Sequence, residues 1–81
     1  MLIYLLSLEV IILLDNKLKE IRMREFMFTQ KEFSSFLSIP ESQFYRYEMK
    51  KSQPSLEIAL KIAQKLDRPI SEIWWIENQS E

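Results

Sequence analysis

The sequence predicts an all-α domain of five short helices behind an apolar N-terminal arm, and three observations lead to it. From Asn16 onward the apolar residues recur every three or four positions, the period of a helix with one buried face. Between these runs stand helix start and stop signals, notably Thr29 with Glu32, Pro40, Pro54-Ser55 and Pro69. The first fourteen residues, by contrast, hold twelve apolar side chains broken only by Ser7 and Glu9. Residues 1–14 are therefore assigned to the arm, 15–76 to one folded domain and 77–81 to a polar tail.

In the arm, Ser7 and Glu9 fall on one side of a strand but on opposite sides of a helix. A strand leaves the even-numbered residues Leu2 to Leu14 as an unbroken apolar face, so a strand is the tidier reading. A helix of this length spans about 21 Å, too short for a bilayer, with Glu9 near its middle. The run also lacks the basic start and small-residue cleavage site of a secretory signal. Burying twelve such side chains is worth roughly 18 kcal/mol before entropy, which calls for packing on the domain or on a partner. The third alternative is an upstream extension that the working protein lacks.

Leu14, Leu18 and Ile21 predict a first helix ending near Glu25. Thr29 opens the second with a capping box to Glu32, and Phe28 and Phe33 form its hydrophobic staple. This helix turns Phe33, Phe36 and Leu37 inward and stops at Ser38-Ile39-Pro40, because Pro40 excludes helical geometry at its predecessor. The third helix opens at Pro40, where a missing N–H is no loss, and buries Phe44 and Tyr47. After a basic loop, Pro54-Ser55 starts a fourth helix with Leu56, Ala59, Leu60, Ala63 and Leu66 inward. Pro69 caps a short fifth helix, Ile73 and Trp74 finish the core, and Trp75 and Ile76 remain as surplus apolar surface. Trp75 is either an exposed aromatic or a dimer contact.

Eighty-one residues make one domain of thin stability. With no Cys and no His, disulfides, common zinc sites and Ser-His or Cys-His nucleophiles are excluded; with no Gly, so are phosphate-cradling loops. An enzyme is improbable, no cofactor is implied, and dimerisation is the remaining stabilising device. Absence of Cys fits a reducing cytoplasm. The net charge of −1 hides an asymmetry: residues 16–71 hold all 11 Lys and Arg against seven acids, hence +4, while the flanks hold five acids. The middle suits modest phosphate attraction.

Two short helices across a three-residue turn, the second with polar residues on its outer side, make a helix-turn-helix. A helix fits the major groove of B-DNA and reads it with its N-terminal residues. Gln43 can pair with adenine, Arg46 with guanine or phosphate, Glu41 with a cytosine amino group, and Tyr45 with a thymine methyl or a phosphate. Gln30 and Lys31 at the second helix's start, and Lys50 and Lys51 after the third, are placed to grip phosphates. The plain alternative is that these polar side chains are merely solvated.

The runs NKLKEIR, TQKEFSSFLSIPESQFYRYE and SQPSLEIALKIAQKLDRPISEIW, about Asn16 to Trp74, resemble the phage repressor and Cro-like helix-turn-helix family, often called the Xre family. The resemblance implies a compact five-helix, lambda-repressor-like domain that binds double-stranded operator DNA as a homodimer and regulates transcription. It implies that Gln30 grips phosphate, that Glu41, Ser42, Gln43 and Tyr45 lie on the base-reading face, and that Arg46 and the following loop contact the backbone. Glu48 matches a family acid that pairs with an arginine of the first helix, here Arg22. Three departures stand out. Ser38 and Lys50 occupy places where members commonly have Gly, so Lys50 is a candidate for positive φ. The link between helices one and two is one residue longer than usual. Pro40 replaces a polar N-cap. The alternative reading keeps the fold but makes it an antitoxin-like or phage accessory module whose arm holds a protein partner; no membrane is implied.

Overall fold

The computed structural model describes residues 12–78, beginning with a strand, β1 (Ile12–Asn16). Then come α1 (Leu18–Glu20), continued by a π-helical turn (Ile21–Phe26), α2 (Gln30–Leu37), α3 (Glu41–Glu48), α4 (Leu56–Lys65), a 3-10 turn (Ile70–Glu72) and β2 (Trp74–Asn78). Among the described residues the domain is thus mostly helical, with four helices and a two-stranded antiparallel sheet, where five helices behind an apolar arm were expected. The greater part of the arm, residues 1–11, lies outside the described residues. Its last residues Ile12 to Leu14 are strand, and the strand continues through Asp15 and Asn16.

Leu14 therefore does not begin the first helix. The physical reason lies in the next two residues. Asp15 Oδ1 accepts the N–H of Asn16 at 2.7 Å, and Asn16 Oδ1 accepts the N–H of Leu18 at 3.0 Å. Side chains that bond nearby backbone in this way end one element and start another. The N–H of Lys17 still donates to the carbonyl of Ile73 at 3.0 Å, which prolongs the sheet pairing up to the helix start.

At the other end, the expected fifth helix shrinks to one 3-10 turn, and Trp74 to Asn78 run antiparallel to β1 with Leu14 opposite Ile76. Bulky Trp-Trp-Ile favours a pleated surface once a partner strand is present. That partner lies some sixty residues earlier in the chain.

The extra residue between helices one and two is absorbed as a π turn. In three helix ends the residue after the αL position bonds back five residues: Ile39 to Ser34, Lys51 to Arg46 and Arg68 to Ala63. Phe28, following αL Met27, bonds back six, to Arg22 at 3.2 Å. One residue inserted into a helix gives a π turn, and the rest of the helix keeps its phase. No glycine serves the four left-handed positions, which are Met27, Ser38, Lys50 and Asp67 with φ of 54°, 61°, 62° and 57°. Positive φ at Lys50 is thus as expected.

The core joins Leu18 and Ile21 to Phe33 and Leu37, Phe44 and Tyr47, Ala59, Ile62, Ala63 and Leu66, and Ile73 and Trp74. Phe26, Phe28 and Phe33 cluster with ring centroids 5.1 to 6.4 Å apart, and Phe33 meets Phe44 edge-on at 5.5 Å. Such pairs add about 0.5–1.5 kcal/mol each beyond burial. Thr29 forms both halves of its capping box with Glu32, at 3.1 and 2.8 Å. Three inward assignments are corrected. Leu56 and Leu60 of α4 are 70% and 49% exposed, and Ile62 is buried instead, so the inward stripe is rotated toward Ile58 and Ile62. Phe36 is only partly covered, lying against Phe26 with Lys65 Nζ 5.9 Å from its ring.

Candidate nucleic-acid interface

Helix α3 divides its residues cleanly. Phe44, Tyr47 and Glu48 are buried, whereas Glu41, Ser42, Tyr45 and Arg46 are exposed. Pro40 precedes it without a side-chain cap bond, so the first N–H groups of the helix remain available to an anion or to water. With Gln30 from the start of α2 and Lys51 from the loop after α3, the exposed residues line a shallow hollow of about 520 Å³. Lys51 Nζ lies 5.8 Å from the centroid of the Tyr45 ring, which holds a positive charge beside the aromatic.

The remaining three predicted residues lie elsewhere. Lys31 is exposed on the first turn of α2 but does not line the hollow. Gln43 is half-buried, donates its side-chain N–H to the hydroxyl of Tyr47, and lines a separate cavity between the α2–α3 turn and α4. Lys50 turns back to the sheet, where its Nζ is 3.0 Å from Asp15 Oδ1. That contact holds the Asp15 carboxyl below its ordinary range, chiefly through the Lys50 hydrogen bond.

Beneath the hollow lies a buried polar clamp. Arg22 Nε donates to Glu48 Oε2 at 2.8 Å, Nη2 to Glu48 Oε1 at 3.2 Å, and Nη1 to the Phe28 carbonyl at 2.9 Å. Gln30 Nε2 donates to the same Glu48 Oε1 at 2.5 Å. The Glu48 side chain is 1% exposed. The longer link does not break the Arg22–Glu48 pair, because the π turn returns Arg22 to the right phase. The clamp fixes the end of α3 against the start of α2, which is the angle a docked helix must keep. The same amide of Gln30 has a second N–H, which Glu48 leaves unbonded.

The sequence reading overlooked Asn16. It is buried, caps α1 through Oδ1 and donates Nδ2 to the Tyr47 carbonyl at 3.1 Å, so it ties β1 to the end of α3. Asp-Asn directly before a helical repeat is a cap signal that points to the first of these bonds, but not to the second.

Two helices crossing a turn of Ser38, Ile39 and Pro40, with one face of the second left free, define a helix-turn-helix protein. A family model described as helix-turn-helix matches residues 18–73, well over half of the chain. The chain belongs to that family, the Cro/C1-type, Xre-like helix-turn-helix proteins, and is a DNA-binding regulator of this general kind. No curated protein matches it as a relative. Among the described residues no helix is long and apolar enough to cross a membrane.

Proposed function

We propose that this chain is a sequence-specific regulator of transcription that lays α3 into the major groove of operator DNA and binds two half-sites as a homodimer. Glu41, Ser42, Tyr45 and Arg46 face the base edges, and Gln43 reaches them once it leaves the Tyr47 hydroxyl. Gln30, Lys31 and Lys51 grip the phosphates on either side, and Lys50 joins them at the cost of its pairing with Asp15. The site of action is the cytoplasm, and no cofactor or catalytic step enters.

The observation that carries this reading is the uncovered side of α3 from Glu41 to Arg46, flanked by Gln30 and Lys51 in one hollow. Its chemistry is mixed, with one acid, hydroxyls, a guanidinium and an ammonium. That mixture suits discrimination among base edges better than plain attraction to phosphate.

Selection from a random duplex pool, followed by titration of the selected site at several salt concentrations, tests the proposal. Binding should weaken steeply with salt, with a slope of about −3 for each half-site carrying three or four phosphate contacts. Arg46→Ala should weaken it by about tenfold or more and relax preference at one base pair. If no sequence is enriched, or if Arg46→Ala and salt both leave binding unchanged, the reading fails.

A further inference from the structure

We propose that the Tyr47 hydroxyl sets the specificity of Gln43: it competes with DNA for the Gln43 side chain, and so fixes how strongly the base pair opposite Gln43 is read. The inference rests on the DNA reading above and adds to it a positioning residue that touches no base.

Gln43 stands at the boundary between the two sides of α3. At 3.6 residues per turn it lies about 60° from Arg46 and about 40° from Tyr47. On one side of it is the exposed arc of Glu41, Ser42, Tyr45 and Arg46, and on the other the buried arc of Phe44, Tyr47 and Glu48. Gln43 itself is half-buried and turned inward, where it lines a cavity of about 320 Å³ whose apolar walls are Leu37, Ile39, Pro40, Ile58 and Ile62. Such walls offer a carboxamide no hydrogen bond. What holds the amide there is the bond from its Nε2 to the Tyr47 hydroxyl.

Of the two partners, Tyr47 is the fixed one. It belongs to the core at 4% exposure, and its carbonyl accepts from Asn16 Nδ2 and from the Lys50 N–H, both at 3.1 Å. The next residue, Glu48, is clamped by Arg22 and Gln30. Gln43 is a long unbranched side chain in the first turn of α3, the part of a reading helix that meets base edges. When their bond breaks, the glutamine is the side chain that moves.

The chemistry of the carboxamide decides what that movement returns. Adenine engages both ends of it, accepting an N–H at N7 and donating its amino group to the carbonyl. The Tyr47 hydroxyl already holds the nitrogen end, so reading adenine exchanges one bond for two, and a base that offers one bond exchanges like for like. Departure of Gln43 also leaves a buried hydroxyl without its partner, which adds to the penalty. The hydroxyl therefore damps the preference at this base pair and leaves the others alone.

The test uses the selected operator with each base pair replaced in turn, measured in competition against the parent chain, Gln43→Ala, Tyr47→Phe and the double variant. Gln43→Ala should flatten the preference at one base pair of the half-site. Tyr47→Phe should raise the preference at that same base pair by about fivefold, the equivalent of one ordinary hydrogen bond, and leave the other positions within about twofold. In the double variant that base pair should be as flat as in Gln43→Ala, because the hydroxyl acts only through the glutamine. A purely structural role for Tyr47 would shift every position alike. Without any variant, nuclear Overhauser contacts should join the Gln43 side-chain N–H protons to the Tyr47 ring in the free protein and vanish in the operator complex. The proposal is overturned if Tyr47→Phe leaves that base pair unchanged, shifts all positions equally or still acts once Gln43 is gone, or if the contact persists on DNA. A parent that enriches no sequence ends the DNA reading as well; one that enriches a sequence yet loses no preference on Gln43→Ala ends this proposal alone.

Discussion

Glu48 is the residue on which most of the helix-turn-helix geometry converges. Its carboxylate accepts two bonds from Arg22 and one from Gln30 while almost wholly withdrawn from water. Removing one member of a buried pair strands the other, at about 3–5 kcal/mol. Glu48→Ala should therefore unfold much of this small domain at room temperature, and Glu48→Gln should be milder because its carbonyl still accepts from Arg22; urea titration followed by circular dichroism measures both. Ser38 marks the opposite case, a residue the fold tolerates rather than needs. Its φ of 61° at the end of α2 strains any side chain with a Cβ, so Ser38→Gly should stabilise the domain by about 0.5–1 kcal/mol, net of the looser unfolded chain. An unchanged or lowered unfolding midpoint would contradict that account.

Among the elements, the capped helices and the ribbon stand at opposite ends of legibility. The start of helix α2 was readable in full, since Thr29, Glu32, Phe28 and Phe33 carry it within six residues, whereas the partial exposure of Phe36 on the same helix was not. Lys50 shows how neighbouring elements then couple, because it lies just past α3 yet bonds Asp15 in β1. That bond lowers the Asp15 pKa, so the stability it contributes is complete above the unfolded value near 4 and is lost as pH falls through the lower folded value. In an NMR titration the Asp15 carboxyl should show a midpoint below the ordinary one, and Lys50→Ala should return it to that range. An Asp15 midpoint the same in both proteins would remove the coupling. The first helix was harder to read, for a π turn and an α turn share nearly the same apolar spacing. Only the unusual length of the link to Thr29 betrayed the added residue.

For the whole molecule, Asn16 joins the sheet, α1 and α3 through side-chain bonds at 3.0 and 3.1 Å. Asn16→Ala leaves the buried Leu18 N–H without a partner and takes from the Tyr47 carbonyl one of its two bonds, the other being from the Lys50 N–H at 3.1 Å, which together should cost about 1–2 kcal/mol. Amide exchange should quicken at Lys17 and Met49 together if the ribbon and the end of α3 move as one unit; quickening at only one of them would argue that they do not. Such a joint connects the ribbon to the end of the proposed reading helix.

What the sequence by itself determined was local: where α2, α3 and α4 begin and end, that Phe44 and Tyr47 are inside, and that Glu41, Ser42, Tyr45 and Arg46 are outside. These follow from caps, prolines and a repeat of three or four, all of which act within a turn or two of chain. Only the tertiary structure decided that Trp74 to Asn78 are strand, that Ile62 replaces Leu60 inside, and that Lys50 faces Asp15 while Gln43 faces Tyr47. Each of those depends on which distant surface arrives beside the residue, and short-range pattern carries no record of that distance.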